Sequence, residues 1–91
     1  MEEIHKNAVF KVLQVNLPQG QTMPRHFASS DAFIIVEKGE AILSLPTKSV
    51  TLLAGTSFPI PAKVPHTLEI LADFRAHVIL AADAYIQFNE K

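Results

Sequence analysis

The sequence predicts an all-β domain, a sandwich or barrel of eight or so short strands, and three observations carry that prediction. Runs rich in Val, Ile, Leu and Phe recur at intervals of about 8 to 12 residues. Clusters of Gly, Pro, Asn, Asp and Ser separate them, as turn chemistry requires. No segment carries a convincing helical pattern of apolar residues.

Taken in order, Ala8 to Asn16 reads as a first strand, closed by the turn Leu17-Pro18-Gln19-Gly20. Gln21 to Phe27 is polar enough to be an edge strand, where Pro24 is tolerable. Ala32 to Val36 and Ala41 to Leu45 read as a hairpin about a tight turn at Glu37-Lys38-Gly39-Glu40. Ser49 to Leu53 follows, then Gly55, then the strand Ser57 to Ile60. Pro61 and Pro65 fix φ and remove donors, so 61–65 is a stiff corner that delivers His66 to the next strand. Thr67 to Leu71 and Phe74 to Leu80 are strands parted by Ala72-Asp73. Residues 81–88 mix helix-favouring alanines with Tyr85, Ile86 and Phe88, and the balance is toward a last strand.

At 91 residues the chain is one domain, with its core between about residues 9 and 80. Apolar residues make up 48% of it, more than so small a monomer easily hides. Several strands are apolar on both faces, Phe33 to Val36 above all, so the outer face needs a cover and a homodimer is expected. The formal charge is −1 and no two Lys or Arg are adjacent, which leaves no footprint for nucleic acid. No apolar run approaches a membrane span, and MEEIHKNAV lacks the apolar core of a signal peptide. The absence of cysteine removes thiolate chemistry and suits a reducing compartment, so a cytoplasmic protein is expected.

Two histidines stand at similar places. His26 follows Gly20 by the interval Gly, five residues, His, and Gly39 lies further on; His66 follows Gly55 and Pro61 in GTSFPIPAKVPH. These spacings resemble the cupin superfamily, small jelly-roll or double-stranded β-helix barrels, over about Val9 to Leu80. The family's first motif runs Gly, five residues, His, one residue, His, three or four residues, Glu, six residues, Gly. Its second runs Gly, five residues, Pro, one residue, Gly, two residues, His, three residues, Asn. The resemblance implies a jelly-roll barrel and a metal site of three His and one Glu. It also shows where this chain departs: Ala28 and Ala32 stand at the second His and the Glu, Lys63 at the second motif's inner Gly, and Ile70 at its Asn.

Only His26 and His66 then remain as ligands, one short of the three protein groups that even an open catalytic zinc site keeps. A third would have to be recruited from Gln21, Asp31 or Glu69, and strand alternation turns Asp31 and Glu69 away if Ala32 and His66 face inward. The expected pocket comprises His26, Ala28, Ala32, Phe58, His66 and Leu68, with Met23 and Phe27 as further wall or core. No resident cofactor is expected beyond a weakly held divalent ion such as Zn²⁺ or Ni²⁺. Ser29 and Ser30 lack a nucleophile elbow, and Glu37 and Glu40 are ordinary turn residues. His5 and His77 occupy no motif position. Two function classes follow: a ligand-binding or structural module with a degenerate metal site in an apolar cavity, and a metal-dependent enzyme of dioxygenase or isomerase type using a recruited third ligand.

Overall fold

Two long strands carry the architecture, because alternating inward apolar residues run straight through the expected breaks. A computed structural model describes residues 1–88; residues 89–91 lie outside the described residues. The strands are β1 (Glu2–Lys6), β2 (Phe10–Leu17), β3 (Thr22–Ala28), β4 (Ala32–Ser44), β5 (Ser49–Leu53), β6 (Ser57–Ile60), β7 (His66–Ala81) and β8 (Ile86–Phe88). Among the described residues there is no helix, and so none long and apolar enough to cross a membrane.

β4 and β7 pair antiparallel from Ala32↔Leu80 to Ser44↔Thr67. The first half of β4 adds β6 on its other edge and the second half of β7 adds β2, beyond which lies β1. The second half of β4 adds β5, and the first half of β7 adds β3 and then β8. Two five-stranded halves therefore share the same pair of central strands. Ile34 and Leu80 of one half line the same cavity as Leu43 and Leu68 of the other, so the halves face each other as a double-stranded β-helix. Val36, Ala41, Leu52, Ile70 and Ala76, each at most 2% exposed, fill the space between them.

The expected hairpin at Glu37 to Glu40 does not form. β4 continues through it as a bulged bend, with register shifts between Val36 and Ala41. The bulge moves the inward positions from Ala32, Ile34 and Val36 to Ala41 and Leu43, so an extra residue keeps the apolar face inside where a regular strand would turn it out. Gly39 sits there at φ +88°, and a Cβ on it would run into the backbone carbonyls of Asp73 and Ala72. Ala72-Asp73, expected as a break, is likewise the bend of a continuous 16-residue β7. Asp73 faces out and accepts from the Gln19 backbone N–H at 2.9 Å. The residues before Ala8, where no strand was expected, form β1; every residue of EEIHK is exposed, so the segment lacks the inward apolar alternation that marks a strand.

Candidate binding site

His26 and His66 meet because β3 and β7 pair with these two residues directly opposite. Their ring centroids are 4.3 Å apart with the planes inclined by 64°, and both residues are 7% exposed. The corner that delivers His66 is anchored twice. Lys63 N–H donates to Ala28 O at 2.8 Å, and Ala62 N–H donates to the Asp31 carboxylate at 2.8 Å. Lys63 adopts φ 64°, the left-handed conformation that glycine takes most easily, which gives the family's glycine at this place a physical reason.

Each imidazole is oriented by a backbone carbonyl two residues earlier, in β3 for His26 and in the proline corner for His66. His26 Nδ1 lies 2.7 Å from Pro24 O, and His66 Nδ1 lies 3.0 Å from Val64 O. A carbonyl only accepts, so each Nδ1 carries the proton and each neutral ring presents an Nε2 lone pair. Burial lowers the pKa of His26 from its ordinary value, against the raising effect of the Pro24 carbonyl. Burial also lowers that of His66, opposed by the Val64 carbonyl and reinforced by repulsion from a charged His26. Neutral pH thus finds two uncharged imidazoles side by side. Phe88 of β8 covers His26, with centroids 5.0 Å apart.

The cavity between the two halves has a volume of about 50 Å³. His26, Ala28, Ala32, His66 and Leu68 line it, as does Met23. Phe58 is a correction. It packs at the edge of the core beneath the Lys48 ammonium, 5.5 Å from its ring, and walls a separate groove with Leu45 and Pro61. Ile60, two residues further along β6, is the residue that reaches the cavity, since each pair of strand residues advances about 7 Å. Phe27 alternates with His26 and Ala28 and so faces away. The sequence reading missed Met1, Val15 and Ile86, which also line it. Alternation in β2 marks Val15 as inward; no local signal marks Met1 or Ile86, which are brought in by pairing at the sheet edges.

Even with alanine at 28 and 32 the chamber is small, because Met1, Met23 and Ile86 also crowd it. The candidate third ligands stay outside. Gln21 and Glu69 are exposed, and Asp31 is engaged with the proline corner. Among the described residues no group of three or more His, Asp or Glu is gathered to hold a metal ion. The family's cage of three His and a Glu therefore does not fit these residues. Ser29 and Ser30 accept from Tyr85 N–H and Ala81 N–H at 3.0 and 3.2 Å, which makes them anchors of the segment before β8. His77 lies on the outer face, 3.2 Å from Gln14 and 3.9 Å from Glu37, and His5 stacks against Phe10.

A family model described as a cupin domain matches residues 13–82. No curated protein matches the chain in sequence. Solved structures do. An RmlC-like cupin family protein with a double-stranded β-helix fold from Methanocaldococcus jannaschii aligns with a TM-score of 0.80 at 23% identity, over 89% of this chain and 77% of its own. Salicylate 1,2-dioxygenase from Pseudoaminobacter salicylatoxidans, in a structure with gentisate adducts, aligns with a TM-score of 0.82 at 14% identity, over 92% of this chain and 25% of its own. The DMSP lyase DddQ from Ruegeria pomeroyi aligns with a TM-score of 0.78 at 22% identity, over 85% and 40%. The chain thus spans well under half the length of either enzyme.

Proposed function

The chain belongs to the cupin domain family, and on that premise we propose that it is a small binding module whose recognition element is the His26–His66 pair. One observation carries the reading: each Nδ1–H is committed to the backbone carbonyl two residues earlier, so each ring keeps an Nε2 lone pair, and both rings line an apolar chamber with alanine where the family's other ligands stand. Such a pair takes an electrophile, either an ion or the hydrogen-bond donor of a small molecule. Size restricts the choice. Sites for organic ligands run to roughly 300 to 1,000 Å³, several times the volume here, so the occupant is an ion or a very small molecule.

The enzyme reading, a metal-dependent dioxygenase or isomerase type, needs a third ligand from Gln21, Asp31 or Glu69, and each is placed away from the chamber. The dioxygenase and lyase among its structural neighbours share the fold at identities too low to carry an activity across. We also infer a cytoplasmic homodimer. The absence of cysteine supports the compartment, and the exposed outer residues Phe33 and Ile35 support the pairing.

The test is nitrogen NMR of the two imidazoles in protein purified without an affinity tag. The probes are a panel of metal ions and of small alcohols and amines. The Nε2 resonances are expected to show unprotonated nitrogens at pH 7 and to move with at least one probe, and the response should vanish in a folded His26→Ala/His66→Ala variant. Rings that answer to no probe would make the pair a structural fixture and end the binding reading.

A further inference from the structure

The chain has two methionines, and both line the chamber that holds the two buried histidines. Met23 is three residues from His26, an odd interval that a regular strand would place on opposite faces. A register shift between them in the β3–β7 pairing brings both inward, the service a bulge performs when it re-aims a side chain. Met1 arrives from the opposite sheet edge, at the start of β1. Among the described residues, no carboxylate lines the chamber.

We propose that this chamber is a Cu(I) site, with the Nε2 atoms of His26 and His66 and the thioether of Met23 as ligands and Met1 closing the mouth. The inference rests on the reading of the histidine pair as a binding element and names its occupant. Three properties select the ion. Thioethers are soft donors that favour Cu(I), and imidazole accepts copper readily, whereas iron(II), manganese and zinc sites of this family type lean on a carboxylate. All the donors are neutral and the walls apolar, and the cost of stripping an ion of water rises with the square of its charge. A divalent ion therefore faces about four times the desolvation cost of a monovalent one here, with no carboxylate among the described lining residues to offset it. Finally, about 50 Å³ has room for an ion with a few waters and excludes a bulky ligand.

The test titrates the full chain with Cu(I) under anaerobic conditions against a chromophoric Cu(I) chelator, with Zn²⁺ titrated in parallel and Met1 confirmed by mass. The expected result is one Cu(I) withdrawn per chain, Zn²⁺ held at least a hundredfold more weakly, and X-ray absorption showing sulfur beside nitrogen. Met23→Leu, which keeps volume and removes the sulfur, should weaken Cu(I) at least tenfold while its melting temperature stays near that of the parent. His26→Ala/His66→Ala should abolish uptake. Cu(I) left with the chelator, Zn²⁺ bound as tightly, or Met23→Leu binding unchanged would each overturn the copper assignment. If Cu(I) fails while another probe still moves the imidazole resonances, this inference falls and the binding module stands; if no probe moves them, both fall.

Discussion

At the scale of single residues, the site is decided by which nitrogen of each histidine holds the proton. Pro24 O and Val64 O settle that by accepting from Nδ1, and burial keeps both rings neutral. The same burial links the pair to stability. In the unfolded chain both titrate near 6.5, and in the folded protein both values are lower. Between those values the unfolded state binds more protons, so stability rises with pH. The contribution is whole above about 6.5 and is lost as pH falls through the folded values. Urea melts from pH 7.5 to 5 should show this loss, and His26→Gln/His66→Gln should flatten that part of the curve. The alanines make the complementary prediction. Ala28 and Ala32 line the chamber beside both histidines, so Ala28→His/Ala32→Glu rebuilds the family's donor set. The variant should bind one divalent ion per chain far more tightly than the parent, at an overpacking cost of about 1–3 kcal/mol, as metal titration and melts would record.

At the scale of elements, the apolar runs Ala32 to Val36 and Phe74 to Leu80 were legible in the sequence and proved right as strand. What misled was the polar punctuation. Glu37-Lys38-Gly39-Glu40 has the composition of a hairpin turn, but a turn and a bulged bend draw on the same residues, since both need a left-handed glycine and both face water. The distinction lies in what β4 pairs with, and that is β7, more than twenty residues away in the chain. Gly39 accordingly has two reasons to be glycine, its φ of +88° and the Asp73 and Ala72 carbonyls against it, while Gly20 has only its φ of +92° in open space. Gly20→Ala should cost about 1 kcal/mol. Gly39→Ala should cost well beyond that, about 3 kcal/mol or more, because the bend must shift. Equal losses for the two in denaturant melts would count against the bend as described.

At the scale of the whole molecule, the radius of gyration of 12.2 Å is that of a compact chain of this length, so the apolar surplus is not hidden by extra compaction. Part of it appears on the outer face of one half, where Phe33 and Ile35 are 39% and 40% exposed and pair with Ile79 and His77 of β7. Ile35→Lys should turn the expected dimer into a monomer in sedimentation and leave Cu(I) uptake intact, since the face lies opposite the chamber. A parent chain that sediments as a monomer at micromolar concentration would refute the pairing. The sequence by itself determined most of the strand-forming runs, the stiff proline corner, the two histidines that survive of the four ligands in the family motif, and the alanines beside them. These are matters of local periodicity, turn chemistry and residue identity. Only the tertiary structure decided that the rings lie 4.3 Å apart, that the chamber shrinks to about 50 Å³, that Ile60 and not Phe58 reaches it, and that two distant methionines line it. Convergence of residues far apart in the chain is set by strand pairing and bulge placement, and no short window of sequence contains that information.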